Sequence, residues 1–218
     1  MQNYFRVALP SKGRLKAPAL RILEEAGLKV KEQERTYILK TSDSEFEVVL
    51  ARAFDIPLYV QYGAATLGVT GHDIILEREA DVYEVSDLKF GKCKLVLAVP
   101  IEATLNKAAD LPSNVRVATE FPNLTRKFFN SLKKPAEILT VRGSAELTPK
   151  LGLADAIVDL STTGETLRKN GLKEIEVILE STARLICNKI AYRSFDKVKE
   201  LIEKVENVVK KNEAFNQA

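Results

Sequence analysis

The sequence has few of the residues that build metal sites and disulfide frameworks. It contains two cysteines among 218 residues, Cys93 and Cys187, and they lie far apart with no CxxC pair. That spacing favours neither a structural zinc site nor a disulfide scaffold. We therefore predict no set of metal ligands within the chain itself.

The sequence also lacks an excess of charge of one sign and long apolar runs. Its 33 basic and 30 acidic residues leave a net charge of +3, and no dense basic run occurs, which argues against a nucleic-acid partner. No apolar run approaches membrane-spanning length, and the N-terminus enters directly into a predicted strand without a signal peptide. We expect a cytoplasmic globular protein with a sizeable core and no membrane contact.

One stretch, residues 155–172, has the pattern of an anion-binding site. A β-branched run at 156–160 predicts a buried strand, and a helix is predicted at 165–170 with Gly171 as its C-cap. Gly164 lets the backbone between them approach a phosphate, and the start of a helix presents unpaired N–H groups. The hydroxyls that can add donors belong to Ser161, Thr162, Thr163 and Thr166.

A simpler interpretation of the same stretch is a helix cap, since Thr162 and Glu165 have the spacing of a capping box. Four hydroxyls within six residues exceed what one cap needs, however. Asp155 and Asp159 precede the loop at a spacing that places both on one face of a strand. Carboxylates beside a phosphate loop suit a sugar diol or a magnesium ion.

Alternating strand and helix patterns predict an α/β protein, and from residue 92 onward they predict a largely parallel sheet with helices on both faces. We predict two α/β lobes with a ligand cleft between them: residues 1–90 plus 178–218, and residues 91–177. Strands are predicted at 5–9, 37–40, 46–52, 67–70, 82–85, 94–99, 115–118, 137–141, 156–160, 175–179 and 183–188. Helices are predicted at 15–25, from 55 onward, and at 74–78, 102–109, 124–132, 145–151, 165–170 and 195–210.

Loops that follow strands carry the functional groups of α/β sheets. Here those loops hold three arginines, one lysine and several glycines, a composition suited to a substrate with several phosphates. The loops are Ser11–Arg14, Arg52–Pro57, Thr70–Asp73, Arg142–Glu146 and Ser161–Thr166.

Five segments of the chain carry recognisable motifs: ALPSKGR at 8–14, ARAFDIP at 51–57, GVTGHDIILE at 68–77, the block from Gly143 to Leu172 that contains DAIVDLSTTGETL, and RLICN at 184–188. Together these segments resemble the ATP phosphoribosyltransferase family, the first enzymes of histidine biosynthesis. They follow the family's order over nearly the whole chain. The resemblance implies two lobes of the periplasmic-binding-protein type II. The chain length is similar to the short form of the family, which lacks a histidine-binding domain.

The resemblance implies a magnesium-dependent transfer of the 5-phosphoribosyl group of phosphoribosyl pyrophosphate to N1 of ATP. Pyrophosphate leaves, and the Mg²⁺ is expected to bind with that pyrophosphate. Two alternatives stay open from the residues alone: a different phosphoribosyltransferase, and a non-catalytic two-lobe protein that binds a small molecule.

The resemblance also implies roles for single residues. Arg14 and Arg35 match family arginines near the pyrophosphate, Lys12 is expected to assist, and Glu146 and Asp159 are expected at the ribose hydroxyls. The remaining residues predicted to bind phosphoribosyl pyrophosphate are Asp155, Ser161, Thr162, Thr163, Gly164 and Thr166. Those predicted on the nucleotide side, in the first lobe, are Gly13, Arg52, Asp55 and Gly71.

Two positions depart from the family pattern, and neither touches the phosphate loop. Thr66 stands where an acidic residue is frequent, and His72 where other polar residues are usual. His72, the only histidine, is therefore a poor candidate for a general base, and we expect it in a turn or helix cap. As partners, the resemblance implies a homodimer that assembles with a regulatory subunit resembling histidyl-tRNA synthetase into a hetero-octamer.

Overall fold

The computed structural model describes residues 4–31 and 36–217, which form two compact units. Unit 1 combines Met1–Gly91 with Thr182–Ala218, and unit 2 is Lys92–Ser181. The functional assignment of lobes at 1–90 with 178–218 and at 91–177 stays a prediction. Among the described residues, no helix combines the length and the apolarity needed to cross a membrane.

The described residues contain eleven strands and seven α-helices. The strands are β1 (Phe5–Pro10), β2 (Ile38–Lys40), β3 (Phe46–Ala51), β4 (Leu67–Gly71), β5 (Tyr83–Asp87), β6 (Cys93–Pro100), β7 (Val115–Thr119), β8 (Ala136–Thr140), β9 (Ala156–Ser161), β10 (Leu172–Ser181) and β11 (Ala183–Cys187). The helices are α1 (Lys16–Glu25), α2 (Ile56–Gln61), α3 (His72–Glu77), α4 (Pro122–Ser131), α5 (Glu165–Lys169), α6 (Lys189–Ser194) and α7 (Asp196–Gln217).

The sheet of unit 1 has the strand order β2-β3-β1-β4-β11-β5. Its central strand β1 is parallel to both β3 and β4, while β2, β11 and β5 each pair antiparallel with their neighbours. Because β1, β3 and β4 are parallel, the loops after them meet at one edge of the sheet.

The long helix α7 packs on unit 1, as its apolar stripe predicts. Val198, Leu201 and Val205 are buried in the same core as Leu9 and Leu23. The preceding helix α6 was not predicted. Its N-cap is Asn188, whose Oδ1 accepts from the N–H groups of the second and third residues of that helix, each at 3.0 Å.

The sheet of unit 2 has the order β10-β6-β9-β7-β8. Strand β7 is parallel to β8 and β9, whereas β6 is antiparallel to both β9 and β10. The prediction of a largely parallel sheet in this part of the chain is therefore wrong, and the sheets of both units are mixed. Apolar alternation indicates that a segment is a strand, but its direction depends on the partner beside it. Strand β10, which spans the predicted lobe boundary between residues 177 and 178, belongs to the sheet of unit 2.

Two predicted helices of unit 2 are mostly turns. The segment 102–109 contains only the start of a 3₁₀ turn at Ala108–Asp110, where Asp110 accepts from the Asn106 N–H at 3.2 Å. The segment 145–151 contains a 3₁₀ turn at Ala145–Leu147. Here the Thr148 hydroxyl donates to the Ala145 carbonyl at 2.7 Å. Side chains that bond nearby backbone groups in this way compete with helix formation.

Candidate active site

The loops after β7, β8 and β9 meet at one edge of the unit 2 sheet, because these three strands are parallel neighbours. They bring together Glu120, the segment Gly143–Glu146 and the loop Ser161–Gly164. Glu120 accepts a hydrogen bond from the Gly143 N–H, which ties the first loop to the second. This edge therefore carries most of the residues predicted to bind phosphoribosyl pyrophosphate.

Three carboxylates influence each other at this edge. Burial, with a smaller contribution from the nearby charges of Glu146 and Glu120, raises the pKa of Asp159 to about 6, although the Leu160 N–H opposes these effects. That N–H donates to Asp159 Oδ1 at 2.7 Å. Asp159 and Glu146 thus lie within each other's electrostatic reach, as their shared assignment to the ribose requires. Glu120 is a third member that sequence reasoning missed, although its position directly after a parallel strand was a usable signal.

Asp155 lies at the other end of β9, before the strand begins. It forms a paired contact with Arg116: Nη2 donates to Oδ1 at 2.7 Å and Nε to Oδ2 at 3.1 Å. This hydrogen-bonded guanidinium lowers the pKa of the Asp155 carboxyl. Asp155 is therefore not brought to the loop that follows β9. The sequence could not predict this, because alternation along a strand indicates which face of the sheet a residue lies on but not which end of the strand carries the site.

The loop between β9 and α5 depends on Gly164. This residue is buried, has φ of +72°, and occupies the position before the helix. A Cβ built there would lie 2.8 Å from Arg168 Nη1 and 3.0 Å from Glu174 Oε1, so both conformation and space favour glycine. The helix has Gly164 at its N-cap position, whereas the alternative capping-box interpretation needs Thr162 there, and the Glu165 N–H donates to Thr163 Oγ1 at 3.4 Å.

A cavity of about 390 Å³ opens against this loop. Its polar lining includes the hydroxyl residues 161–163 and three cations, Lys94, Arg168 and Lys173. Arg168 Nη2 also donates to the Thr163 carbonyl at 3.0 Å, which braces the loop. Thr166 lies on α5, is exposed, and is not one of the residues that line the cavity. The sequence did not identify these three cations as part of the site.

One carboxylate, that of Glu174, also lines this cation-rich cavity. Glu174 Oε1 accepts a hydrogen bond from the Ser161 hydroxyl at 2.5 Å. Ser161 itself is 7% exposed, and its hydroxyl is directed to this partner.

The carboxyl edge of the unit 1 sheet gathers the residues predicted on the nucleotide side. Lys12, Gly13 and Arg14 lie in the exposed turn after β1, where Gly13 has φ of +81°. Arg52 and Asp55 follow β3, and Asp55 occupies the N-cap position of α2 without a side-chain cap bond. Hydrogen bonds join these turns: the N–H of residue 11 donates to the carbonyl of residue 51 at 2.7 Å, and the hydroxyl of residue 70 to the carbonyl of residue 53 at 2.8 Å. Arg35 lies outside the described residues.

Gly71 and His72 have structural roles at the start of α3. A Cβ on Gly71 would lie 2.3 Å from Asp73 Oδ1, so this glycine makes room for the buried Asp73 carboxylate. His72 is the first residue of α3, and its Nδ1 lies 2.8 Å from Glu84 Oε2. Thr66 bonds through its backbone, accepting from the Asn188 N–H at 2.9 Å.

Comparison with known proteins identifies the family. The model of the family described as "HisG: ATP phosphoribosyltransferase" matches residues 52–207. A protein of Methanosarcina acetivorans named ATP phosphoribosyltransferase is 46% identical over 206 residues, which are 94% of this chain and 71% of the relative. A Methanocaldococcus jannaschii protein of the same name is 46% identical over 93% of this chain and 69% of its own length. The chain belongs to the ATP phosphoribosyltransferase family.

Solved structures agree with this assignment. A chain of the "ATP phosphoribosyl transferase (HisG:HisZ) complex from Thermotoga maritima" superposes with a TM-score of 0.82 and 31% identity, over 94% of this chain and 98% of that chain. The substrate-binding protein of an amino acid ABC transporter has a TM-score of 0.61 at 14% identity, over 98% of this chain and 94% of its own. The ancestral amino-acid-binding protein AncCDT-1 has a TM-score of 0.64 at 18% identity, over 97% of this chain and 90% of its own. The last two show the fold alone and confirm the predicted periplasmic-binding-protein type II architecture.

Membership of the ATP phosphoribosyltransferase family confirms the predicted enzyme class, a glycosyltransferase that transfers a pentosyl group, and the predicted function in the first step of histidine biosynthesis. A different phosphoribosyltransferase, or a binding protein without catalysis, is not supported. The binding-protein likeness reflects a shared fold, and a shared fold does not imply a shared function.

Proposed function

We propose that unit 2 binds phosphoribosyl pyrophosphate, whose phosphoribosyl group the enzyme transfers to N1 of ATP. The observation that carries this assignment is the cavity at the hydroxyl loop, which combines three cations with a glycine whose Cβ would meet the lining groups. Lys94, Arg168 and Lys173 supply positive charge for the 5-phosphate. Thr162 and Thr163, both exposed on the loop, supply hydroxyl donors.

The neighbouring carboxylates suit the ribose. Asp159 and Glu146 are proposed to accept hydrogen bonds from the ribose hydroxyls, with Glu120 beside them. Burial raises the pKa of Asp159, and repulsion by Glu146 and Glu120 contributes to the rise; hydroxyl donors or a divalent cation would relieve this repulsion. Asp155, held by Arg116 at the other end of β9, is left out of this assignment.

Magnesium fits these residues as an ion that arrives with the substrate. Within residues 4–31 and 36–217 no group of three or more histidine, cysteine, aspartate or glutamate side chains has the geometry of a metal site. A coupled set of carboxylates near the ribose position nevertheless matches the oxygen ligands that Mg²⁺ prefers. When bound with the pyrophosphate, the ion would neutralise negative charge on the leaving group.

The chemistry requires stabilised charge more than a strong base. Adenine N1 has a free lone pair at neutral pH, so it can attack C1 of the ribose while the C1–O bond breaks and its electron pair leaves with pyrophosphate. Negative charge grows on the leaving group in the transition state. Arg14 and Lys12, exposed in the turn after β1, are proposed to stabilise it, together with Arg35.

The nucleotide is proposed to bind to loops of unit 1. Arg52 is exposed directly after β3, where a guanidinium suits the triphosphate of ATP. No atom lies within 4 Å of a Cβ built on Gly13, and this open space permits close approach of a ligand to the backbone. Asp55 and Gly71 lie at the same carboxyl edge and are proposed to shape it.

A regulatory partner is the final part of the proposal. The Thermotoga maritima structure contains a chain that this one matches over 98% of its length, in a complex described as HisG:HisZ. We propose that this chain forms a homodimer and assembles with a subunit that resembles histidyl-tRNA synthetase, in the predicted hetero-octamer. The cytoplasmic location stays a prediction.

A direct test combines an assay of product formation with binding measurements on two glycine variants, Gly164→Val and Gly171→Val. The purified chain, given phosphoribosyl pyrophosphate, Mg²⁺ and ATP, should release pyrophosphate and form phosphoribosyl-ATP, whereas hypoxanthine or orotate in place of ATP should yield neither. Gly164→Val should weaken the binding of phosphoribosyl pyrophosphate in calorimetry and leave ATP binding nearly unchanged. Gly171→Val is the matched control, because Gly171 also has a positive φ, +73°, but has open space around its Cβ position. Equal affinities in wild type and Gly164→Val would contradict the loop assignment.

A further inference from the structure

Glu174 places a negative charge in a cavity that otherwise has the groups of an anion site. Its Oε1 lies 2.5 Å from the Ser161 hydroxyl and 3.0 Å from the Cβ position of Gly164. That Cβ position is also 2.8 Å from Arg168 Nη1. The carboxylate oxygen therefore accepts from a loop hydroxyl and lies on the same side of Gly164 as the Arg168 guanidinium, the donor and the cation that a phosphate oxygen would use.

The local backbone directs this side chain. Glu174 lies on β10, the edge strand of the unit 2 sheet, and the pairing with β6 shifts register between Glu174 and Glu176. Such irregularities at sheet edges re-aim side chains and are frequent next to active sites. Residue 174 is also exposed as a whole, so its side chain can turn to solvent without unfolding the strand.

We propose that Glu174 is a built-in competitor for the substrate phosphate: its carboxylate occupies the hydroxyl loop until a phosphate displaces it. This inference rests on the proposed function of the loop. A carboxylate and a phosphate cannot both accept from the Ser161 hydroxyl at close range, because like charges at contact distance repel strongly in a partly buried site. Binding must therefore include the cost of moving Glu174 out, and this cost lowers the affinity for any single phosphate group.

Two substitutions separate competition from a purely structural role. Glu174→Gln keeps an oxygen that can accept from Ser161 but removes the charge, and Glu174→Ala removes the side chain. If Glu174 competes, both variants should bind ribose 5-phosphate more tightly than wild type, by roughly tenfold, since a hydrogen bond to a charged acceptor no longer has to be broken. Glu137→Gln is the matched control, because it removes an exposed carboxylate from β8, the opposite edge strand of the same sheet.

The measurement is calorimetric titration with ribose 5-phosphate, which carries the 5-phosphate but cannot react. Tighter binding in both Glu174 variants, with Glu137→Gln unchanged, supports the proposal. An unchanged affinity in Glu174→Gln with weaker binding in Glu174→Ala would mean that Glu174 anchors the loop, and would overturn it. A separate failure is also recognisable: if wild type and all variants, folded by circular dichroism, leave ribose 5-phosphate unbound, the loop assignment in the proposed function is wrong, and this inference falls with it.

Discussion

Replacing Asp159 by asparagine should make the protein more stable and less active. Burial among carboxylates raises the pKa of Asp159 from 3.8 to about 6, so the folded state holds this proton more tightly than the unfolded chain does. At 1.36 kcal/mol for each pKa unit, this difference corresponds to ~3 kcal/mol lost when the folded carboxyl ionises. The partial exposure of the side chain lowers the expectation to about 2 kcal/mol.

The sign of the effect follows from proton linkage. Because the folded state binds more protons between pH 3.8 and about 6, stability falls as the pH rises through that window. Asp159→Asn removes this loss, so the gain over wild type should be near zero at pH 3.5, grow towards pH 6, and stay constant above it. Asparagine retains an oxygen that can accept from the Leu160 N–H, which limits other changes.

The assay is urea unfolding of wild type and variant at pH 3.5, 5 and 8, combined with turnover at pH 8. Asp155→Asn is the matched control with the opposite expected sign, because the Arg116 contact lowers the pKa of Asp155 and its loss should weaken the fold slightly at pH 8. A gain in Asp159→Asn that is equal at all three pH values, or absent at pH 8, would refute the reasoning. Stability gained as turnover is lost is the usual trade-off at a functional carboxylate.

Three further predictions concern the leaving group, a crowded strand and regulation. Arg14→Ala and Arg35→Ala should lower kcat more than they raise KM, because the negative charge on pyrophosphate is larger in the transition state than in the bound substrate. A rise in KM alone in steady-state kinetics would instead mean that these arginines bind substrate and transition state equally well. Gly68→Ala should lower the free energy of unfolding by about 1–3 kcal/mol, since its Cβ would lie 2.6 Å from Ile56 Cγ2 and 2.9 Å from Val60 Cγ2. An unchanged melting temperature would contradict that packing. The isolated chain should be insensitive to histidine and gain both activity and histidine inhibition with the regulatory partner; stoichiometric histidine binding to the chain alone, by calorimetry, would show a second site here.

The fold was predictable where local signals are strong. Buried runs such as 95–99 and 156–160 form strands, and the apolar stripe of α7 packs on unit 1. The prediction of a helix at 102–109 was wrong, because this segment forms a turn in which the Asn106 N–H donates a hydrogen bond to the Asp110 carboxylate. Strand direction was also misjudged, since the antiparallel position of β6 depends on partners distant in sequence.

By itself, the sequence determined the family, the alternation of strands and helices, and the hydroxyl loop with its glycine. These properties are local: Gly164 needs a positive φ, and the loop residues are consecutive. Only the tertiary structure decided which charges meet. Strand order places Arg116 against Asp155, away from the loop, and sets Glu120 beside Asp159. Glu174 on the edge strand β10 contacts Ser161, thirteen positions before it in the sequence, and no periodicity encodes this contact.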